Sequence, residues 1–204
     1  MLVNGRTGLV IPVAKDDQPT LHFSTTSSYD DVWWGHKMHG CTASVHVWRP
    51  RVPSGWFILG DTAVSGSNYP TGPAVIVRES NPAAKGPILA PPEPDGWNQI
   101  WNDSGTGGAQ DGSIWQPRPK DGYVAIGSVA ASGYNQPSIP SYMCVRFDKC
   151  APSTATEKIW DDTCSTHNGD TGFWRVANVS NIFVAGTSHD SYGATAYKPV
   201  DLSA

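Results

Sequence analysis

The sequence predicts an all-β fold of three pseudo-symmetric repeats, each of about four strands, in a β-prism-like arrangement. The chain of 204 residues contains 21 glycines and 17 prolines, too many for helices of ordinary length to survive. Charged residues make up only 16% of the chain, whereas tryptophan occurs nine times. In addition, one pattern of aromatic residues and turns returns three times at nearly constant spacing, which is typical of a repeat architecture.

Each copy of this pattern is anchored on a central tryptophan. A turn residue follows the anchor after seven positions and a glycine after twelve, and an earlier tryptophan precedes it by 14 or 15 positions. The three copies are predicted to span residues 29–66, 97–133 and 156–191 of a single domain covering residues 1–204. The anchors are Trp48, Trp115 and Trp174, the turn residues Gly55, Gly122 and Asn181, the glycines Gly60, Gly127 and Gly186, and the earlier tryptophans Trp33, Trp101 and Trp160.

The strands of one copy follow from the alternation of its residues. In VHVW, residues 45–48, the two valines face one side of a strand, and the histidine and tryptophan face the other. Pro and Ser-Gly in residues 50–55 end this strand and turn the chain, and residues 56–59 return. The connecting segments carry one further strand each, at 75–78 and 142–146. Because the third copy is shorter, Leu9–Val13 and Leu21–Phe23 are expected to complete its sheet.

Four cysteines, Cys41, Cys144, Cys150 and Cys164, allow three disulfide pairings. Cys144 and Cys150 flank a short segment and could close a loop, which would leave Cys41 to pair with Cys164. Two disulfides would indicate an oxidising compartment, and four free thiols a cytosolic protein. The cysteines slightly favour a secreted protein, although no signal peptide is visible at the N-terminus.

Charge and motif content exclude several classes of function. The formal net charge is −4 and there is no basic run, so nucleic acid is not an expected partner. No apolar stretch approaches the length of a transmembrane helix. The sequence has no Gly-x-Ser-x-Gly, His-Glu-x-x-His or phosphate-binding loop, and we expect that the protein is not an enzyme. A polysaccharide hydrolase that uses Asp103 and Asp111 is the less favoured alternative.

Two segments of the chain resemble a known family. VWRPRVPSGWFILGDTAVSG, residues 47–66, and WNDSGTGGAQDGSIWQPRPKDGYVAIGSVA, residues 101–130, are similar to the repeats of the Vps62-like family. They also resemble a repeat in the adaptor-binding region of Vps13 proteins. The third copy departs from this pattern, because it has no proline after Trp174-Arg175 and no aspartate after Gly186. The resemblance implies the repeated β fold and says little about function.

The loops before the three anchors, residues 36–44, 102–113 and 161–171, combine a nearby tryptophan with polar side chains. A sugar site needs an aromatic face for the C–H surface of the ring and a carboxylate or amide for its hydroxyls. The sequence therefore predicts a lectin-like, non-catalytic protein that binds glycans or glycoconjugates. The candidate ligand-binding residues are Trp34, Asp103, Asp111, Asp161 and Asp170. The alternative for the aspartates is that they cap turns, and the three anchor tryptophans are expected to fill the core.

A membrane- or protein-binding targeting module, of toxin or sorting type, is the alternative function. Exposed tryptophans at one end of the prism would favour it, because tryptophan partitions to membrane interfaces. No cofactor is predicted. Calcium is a minor possibility at Asp161, Asp162, Asn168 and Asp170, although their spacing is not that of an EF-hand. His36, His39 and Cys41 lie close together, but a fourth metal ligand is not indicated.

Overall fold

The computed structural model describes residues 18–81, 86–165 and 169–202. The predicted all-β class is confirmed, and the helical structure in these residues is one short 3₁₀ turn at Phe147–Lys149. Within this part of the chain no helix has the length and apolar character needed to cross a membrane. The strands are β1 Thr20–Thr26, β2 Tyr29–Gly35, β3 Val45–Pro50, β4 Phe57–Ile58, β5 Thr62–Ser65, β6 Ala74–Ser80, β7 Leu89–Ala90, β8 Trp97–Asn102, β9 Gly112–Pro117, β10 Tyr123–Val124, β11 Val129–Ser132, β12 Cys144–Arg146, β13 Cys150–Ser153, β14 Glu157–Asp161, β15 Gly172–Arg175, β16 Phe183–Gly186 and β17 Ala196–Pro199.

Three equivalent antiparallel sheets confirm the pseudo-symmetric repeat. Their strand orders are β2-β3-β5, β8-β9-β11 and β14-β15-β16, with the anchor tryptophan on the central strand each time. Each sheet has a β-bulge directly before its earlier tryptophan, at Val32, Ile100 and Ile159. A bulge adds one residue to a strand and re-aims the side chains around it. The copies therefore share a detail of backbone geometry as well as a strand order.

The remaining strands form a second set of sheets, ordered β1-β6-β4, β10-β12-β7 and β13-β17, in which the short strands β4 and β10 come from the first two repeats. The predicted strands at 75–78 and 142–146 correspond to β6 and β12. The prediction that Leu21–Phe23 completes the third sheet is wrong, because these residues belong to β1 and pair with β6. Leu9–Val13 lies outside the described residues.

The three repeats meet at a ring of backbone hydrogen bonds. The N–H of Asp61 donates to the carbonyl of Ser128 (3.0 Å), that of Ser128 to Phe183 (2.9 Å), and that of Phe183 back to Asp61 (3.3 Å). Each bond joins one copy to the next in cyclic order. The ring therefore marks the pseudo-threefold axis.

The third copy reaches this axis by a shorter turn than the other two. Trp48 pairs with Thr62, 14 positions later, whereas Trp174 pairs with Val184, ten positions later. Gly60 and Gly127 each lie two positions before the residue that pairs with the anchor tryptophan, and Ile182 lies at this position in the third copy. Gly186, which the sequence pattern assigned to this place, lies at the far end of β16.

Gly60, Gly127 and Ile182 are packed together at the axis. A Cβ atom on Gly60 would lie 2.9 Å from the Cα of Gly127 and 2.9 Å from Cγ2 of Ile182. Two glycines and one isoleucine thus fill a space that three side chains could not share. This close approach explains the glycine at this position in two copies and the larger residue in the third.

Replacing Gly127 with alanine is expected to lower the free energy of unfolding by about 1–3 kcal/mol, because overpacking displaces neighbours. The new methyl group would lie 2.3 Å from Cγ2 of Ile182 and 3.0 Å from the carbonyl oxygen of Leu59. Gly193→Ala is the matched control, since nothing lies within 4 Å of a Cβ atom there. Urea denaturation of both variants checks the difference, and equal stabilities would contradict the packing at the axis.

In each of the first two copies, a hydrogen-bonded pair of side chains lies at the same position beside the axis. In the first copy Asp61 is fully buried and accepts bonds from Arg49 Nε (3.0 Å) and Nη2 (2.8 Å) and from the N–H of Ala130 (2.9 Å). Burial raises the pKa of Asp61, and the Arg49 guanidinium opposes this shift. The same Arg49 donates to the carbonyl of Ala130 (2.7 Å). A charged pair thus ties the first copy to the second.

The second copy makes the same connection with neutral groups. Ser128 stands where Asp61 does in the ring, and Gln116 stands where Arg49 does after the anchor. The Ser128 hydroxyl donates to Oε1 of Gln116 (2.8 Å) and accepts the N–H of Ala185 (2.9 Å). In the third copy the position is the apolar, buried Phe183. This position beside the axis is therefore charged in the first copy, neutral and polar in the second, and apolar in the third.

The apolar core has a tryptophan cluster near the repeat sheets. The rings of Trp33 and Trp101 lie 5.8 Å apart, and those of Trp101 and Trp160 lie 6.1 Å apart, both edge to face. A second cluster, around Leu59, joins residues of the second set of sheets to β15 and β16 of the third repeat. Of the anchors, Trp115 and Trp174 are buried as expected, whereas Trp48 is only half-buried.

Candidate ligand-binding site

The three loops that precede the anchors meet at one end of the molecule, which we call the loop end (residues 36–44, 102–113 and the described part of 161–171). The N–H of His39 donates to the carbonyl of Thr106 (2.7 Å), and the N–H of Ala109 donates to that of His36 (3.2 Å). These bonds join the first loop to the second. A disulfide between Cys41 and Cys164 joins the first loop to the third.

The cysteine prediction is half confirmed. Cys41 and Cys164 form the expected disulfide, but Cys144 and Cys150 are free, so the second predicted disulfide is wrong. The physical reason is that Cys144 belongs to β12 and Cys150 begins β13, in two different sheets. Burial raises the pKa of the Cys144 thiol to about 12. The disulfide also occupies Cys41, which the sequence offered as a metal ligand beside His36 and His39.

No group of three or more histidine, cysteine, aspartate or glutamate side chains is placed to hold a metal ion in residues 18–81, 86–165 and 169–202. Asn168, one member of the predicted oxygen cluster, lies outside these ranges.

Asp103 is buried and forms hydrogen bonds across the base of the second loop. Its Oδ1 accepts the N–H of Gly112 (2.8 Å), and its own N–H donates to the Gly112 carbonyl (3.1 Å). Burial raises the pKa of Asp103, while the bond from Gly112 opposes the shift. Asp162 does the same in the third loop, where it accepts the N–H of Thr171 (2.7 Å). Both carboxylates hold the shape of their loops.

Asp162 is a further important residue that the list of predicted ligand-binding residues leaves out. It also accepts Nε1–H of Trp101 (2.9 Å) and contacts His189 Nε2 (2.8 Å). The repeat pattern itself indicates Asp162, because Asp103 and Asp162 each stand two residues after an earlier tryptophan. The first copy has Gly35 at this position. The first copy therefore has no carboxylate at this position. Nε1 of Trp160 is buried with no hydrogen-bond partner among the described residues, in contrast to Nε1 of Trp101.

The other predicted aspartates lie on two different copies. Asp111 is exposed on the second copy and accepts the hydroxyl of Tyr134 (3.0 Å). Burial and this bond raise the pKa of Tyr134 above its usual range. Asp170, on the third copy, is 63% exposed and lies 3.7 Å from His189 Nε2.

Asp161, also on the third copy, is bound by its neighbours. It accepts Lys158 Nζ (2.5 Å) and the hydroxyl of Thr163 (2.6 Å). Burial raises the pKa of Asp161, but the bonds from Lys158 and Thr163 outweigh it and leave the pKa below its ordinary value. The four predicted aspartates therefore lie on the second and third copies, and Trp34 lies on the first. Their ligand binding stays a prediction.

Trp34 belongs to a row of rings on the first copy, which we call the aromatic stack: His36, Trp34, His46, Trp48 and Tyr69. Successive ring centroids are 3.6, 5.7, 4.1 and 4.9 Å apart. Trp34 and His46 are direct cross-strand partners in β2 and β3, and Trp48 follows two residues along β3. Because alternate residues of a strand share a face, all three side chains stand on one side of the sheet. Trp34, His36 and Trp48 are half-buried and Tyr69 is exposed.

A carboxylate stands beside the aromatic stack. Asp31 is the cross-strand partner of Trp48, and its Oδ1 lies 3.1 Å from Nε2 of His46. The Asp31 side chain is 57% exposed, while His46 is buried. Nε1 of Trp34 and Nδ1 of His46 are buried and have no hydrogen-bond partner in the described part of the chain.

The aromatic stack is particular to the first copy. The cross-strand pair equivalent to Trp34 and His46 is Asn102 with Ser113 in the second copy. In the third copy it is Asp161 with Gly172. The three copies therefore share a backbone but present different chemistry on their outer faces.

A cleft of about 710 Å³ lies on another part of the surface, between β1 and the short turn of the third copy. Phe23, Val75 and Val179 contribute apolar walls, and Arg175 lies at its polar side. Arg175 is already bound to Glu157 (3.0 Å) and to Asn181 (3.1 Å). The cleft therefore combines apolar walls with an arginine that is already paired.

The fold and the site together define a class: a three-repeat, β-prism-like protein whose loops meet at one end and whose outer faces differ. The chain belongs to the vacuolar protein sorting-associated protein 62 (Vps62) family, whose model matches residues 17–191. The fold is also that of a solved structure, GNIP1Aa from Chromobacterium piscinae, with a TM-score of 0.72 and 24% sequence identity. The match covers 83% of this chain and 33% of GNIP1Aa, so this chain spans about a third of that protein's length. No curated protein matches the chain significantly.

Proposed function

We propose that this protein is a non-catalytic, lectin-like module that binds glycans, with its main site at the aromatic stack and Asp31. The observation that carries the proposal is the row of partly exposed rings beside an accessible carboxylate. The C–H face of a pyranose packs against an indole ring, and a carboxylate accepts hydrogen bonds from neighbouring hydroxyls. Trp34 and Asp31 supply these two groups on one face of one sheet.

Two of the other predicted residues, Asp111 and Asp170, are proposed as secondary contacts, and Asp161 as a residue that shapes the third loop through Thr163. Asp111 with Tyr134 on the second copy, and Asp170 on the third, present exposed oxygens near the loop end. Weak sites on one molecule raise the overall avidity for a branched or repeating glycan when the geometry allows simultaneous contact. Asp103 is proposed to act indirectly, by holding the second loop through Gly112.

Binding without catalysis is part of the proposal. Glycoside hydrolysis requires two carboxyl groups placed on either side of one bond. Of the pair that the sequence offered, Asp103 is buried and bonded to Gly112, while Asp111 is exposed and bonded to Tyr134. A screen for sugars released from polysaccharides tests this part, and release that depends on Asp111 would overturn it.

The membrane-targeting alternative has one supporting observation, an exposed apolar patch. Phe147 is 55% exposed and Val200 is 49% exposed, and the Phe147 ring lies 6.0 Å from that of Tyr197. However, none of the nine tryptophans is among the exposed large hydrophobic residues. Flotation with liposomes that contain no glycolipid discriminates the two functions. Binding there that free sugars do not reduce would displace the lectin proposal.

Replacing Trp34 with alanine is expected to weaken glycan binding at least tenfold, which corresponds to about 1.4 kcal/mol. The reason is loss of the ring face and of the contact with His46. A glycan array identifies the ligand, and titration calorimetry measures both affinities. Trp56→Ala is the matched control, because Trp56 is also half-buried but stacks under Arg78 away from the site. Equal losses in the two variants would contradict a site at the aromatic stack, and no binding by the native protein would contradict the function.

A further inference from the structure

The charge around the aromatic stack indicates which glycans it would prefer. We propose that the site recognises sugars that carry a free, protonated amino group, with the ammonium held between Asp31 and the ring of Trp48. The inference rests on the proposed glycan-binding function and narrows it to amino sugars.

Asp31 is a carboxylate without a lysine or arginine partner among the described residues. The two nearby arginines are committed elsewhere, Arg49 to Asp61 (2.8 Å) and Arg51 to Asp30 (2.6 Å). In residues 18–81, 86–165 and 169–202, no lysine or arginine lies within ion-pair distance of Asp31. Within the described part of the chain its one ionic contact is His46, and more than half of the Asp31 side chain faces solvent. The carboxylate is therefore available to a ligand cation.

His46 is a second polar group at the site, and its ring nitrogens make no hydrogen bond among the described residues. It is only 6% exposed and lies between Trp34 and Trp48, yet its Nδ1 has no hydrogen-bond partner in the described chain. Buried polar atoms are nearly always paired, because leaving one unpaired costs free energy. Nε2 of the same ring lies 3.1 Å from Oδ1 of Asp31, although it too makes no hydrogen bond among the described residues. An unsatisfied polar ring thus borders the exposed carboxylate.

An ammonium group suits this combination better than a neutral or an acidic group. A cation near the face of an aromatic ring is attracted by its quadrupole, and the carboxylate adds a direct ion pair. An N-acetylated sugar has no charge, so its hydroxyls would offer Asp31 hydrogen bonds but no ion pair. A carboxylated sugar would meet like charge.

The other two copies do not carry this chemistry. Where Asp31 pairs with Trp48, the second copy has Gln99 with Trp115 and the third has Lys158 with Trp174. A neutral amide and a lysine cannot serve as counter-ion for an ammonium group. The preference for amino sugars is therefore expected to depend on the first copy alone.

The test compares two oligosaccharides of equal length by titration calorimetry, one of glucosamine and one of N-acetylglucosamine. At about pH 6, where an amine of this kind is protonated, the native protein is expected to bind the glucosamine oligomer about tenfold more tightly. Asp31→Asn is expected to reduce this preference to about twofold or less, because the glucosamine oligomer loses an ion pair while the N-acetylated oligomer loses only a hydrogen-bond acceptor. Asp30→Asn is the matched control, because the neighbouring carboxylate is already paired with Arg51. The preference is also expected to fall as salt is added.

The outcomes separate this inference from the function on which it rests. Equal affinity of the native protein for the two oligomers overturns the amino-sugar preference and leaves glycan binding in place. Binding of other glycans on an array, with neither oligomer bound, does the same. A preference that survives Asp31→Asn with a normal thermal unfolding curve also overturns the inference. Absence of binding to any glycan overturns the proposed function itself. If Asp31→Asn does not fold, the native comparison and its salt dependence still decide.

Discussion

Replacing both Cys41 and Cys164 with serine is expected to lower the free energy of unfolding by about 4–5 kcal/mol. The disulfide joins residues that are 123 positions apart. Without it the unfolded chain gains the conformational entropy of a very long loop, and this gain grows with the logarithm of loop length. The folded state loses the direct link between the first and third loops at the loop end.

Urea denaturation of the oxidised native protein and of the double serine variant measures this loss. The matched control replaces Cys150, the half-buried free thiol, with serine, and is expected to change stability far less. Hydrogen exchange adds a local readout, because the N–H groups of His39 and Ala109 bind across the same loops. Unchanged stability in the double variant would contradict a disulfide in the folded protein.

The strands of the repeats could be predicted because their signal is local. Alternation in residues 45–48 and the turn residues after them depend on neighbours in the sequence, and β3 spans Val45–Pro50. The positions at the axis could not be predicted in the same way. Gly186 fits the spacing of Gly60 and Gly127, but cross-strand pairing places Ile182 there instead. Spacing measures distance along the chain, whereas the axis is set by which residues pair.

The candidate site shows the same limit. Trp34 could be selected from the sequence as an aromatic residue next to a polar loop. Its neighbours His46 and Asp31 could not be assigned to it, because their register depends on the bulge at Val32. One extra residue in β2 decides which side chains of β3 stand opposite. Likewise, the structural role of Asp103 depends on a bond to Gly112, nine positions away, which composition does not reveal.

Replacing Asp61 with alanine is expected to lower the free energy of unfolding by about 3–5 kcal/mol, because it leaves one charge of a buried pair without its partner. Arg49 would lose both bonds to the carboxylate, and the N–H of Ala130 would lose its acceptor. Ser128→Ala is the matched control at the equivalent position of the second copy. It removes a neutral hydroxyl that bonds to Gln116 and is expected to cost about 1–3 kcal/mol.

A double variant tests whether the loss comes from the stranded charge or from the position itself. Arg49→Gln combined with Asp61→Ser copies the pair that the second copy already uses, Gln116 with Ser128. Because a neutral pair leaves no buried charge, the double variant is expected to be clearly more stable than Asp61→Ala in urea denaturation. The apolar Phe183 at the third equivalent position shows that this place by the axis does not require a charge. If the double variant is as unstable as Asp61→Ala, the ion pair is not the cause, and the three copies are less interchangeable at the axis than their shared hydrogen-bond ring implies.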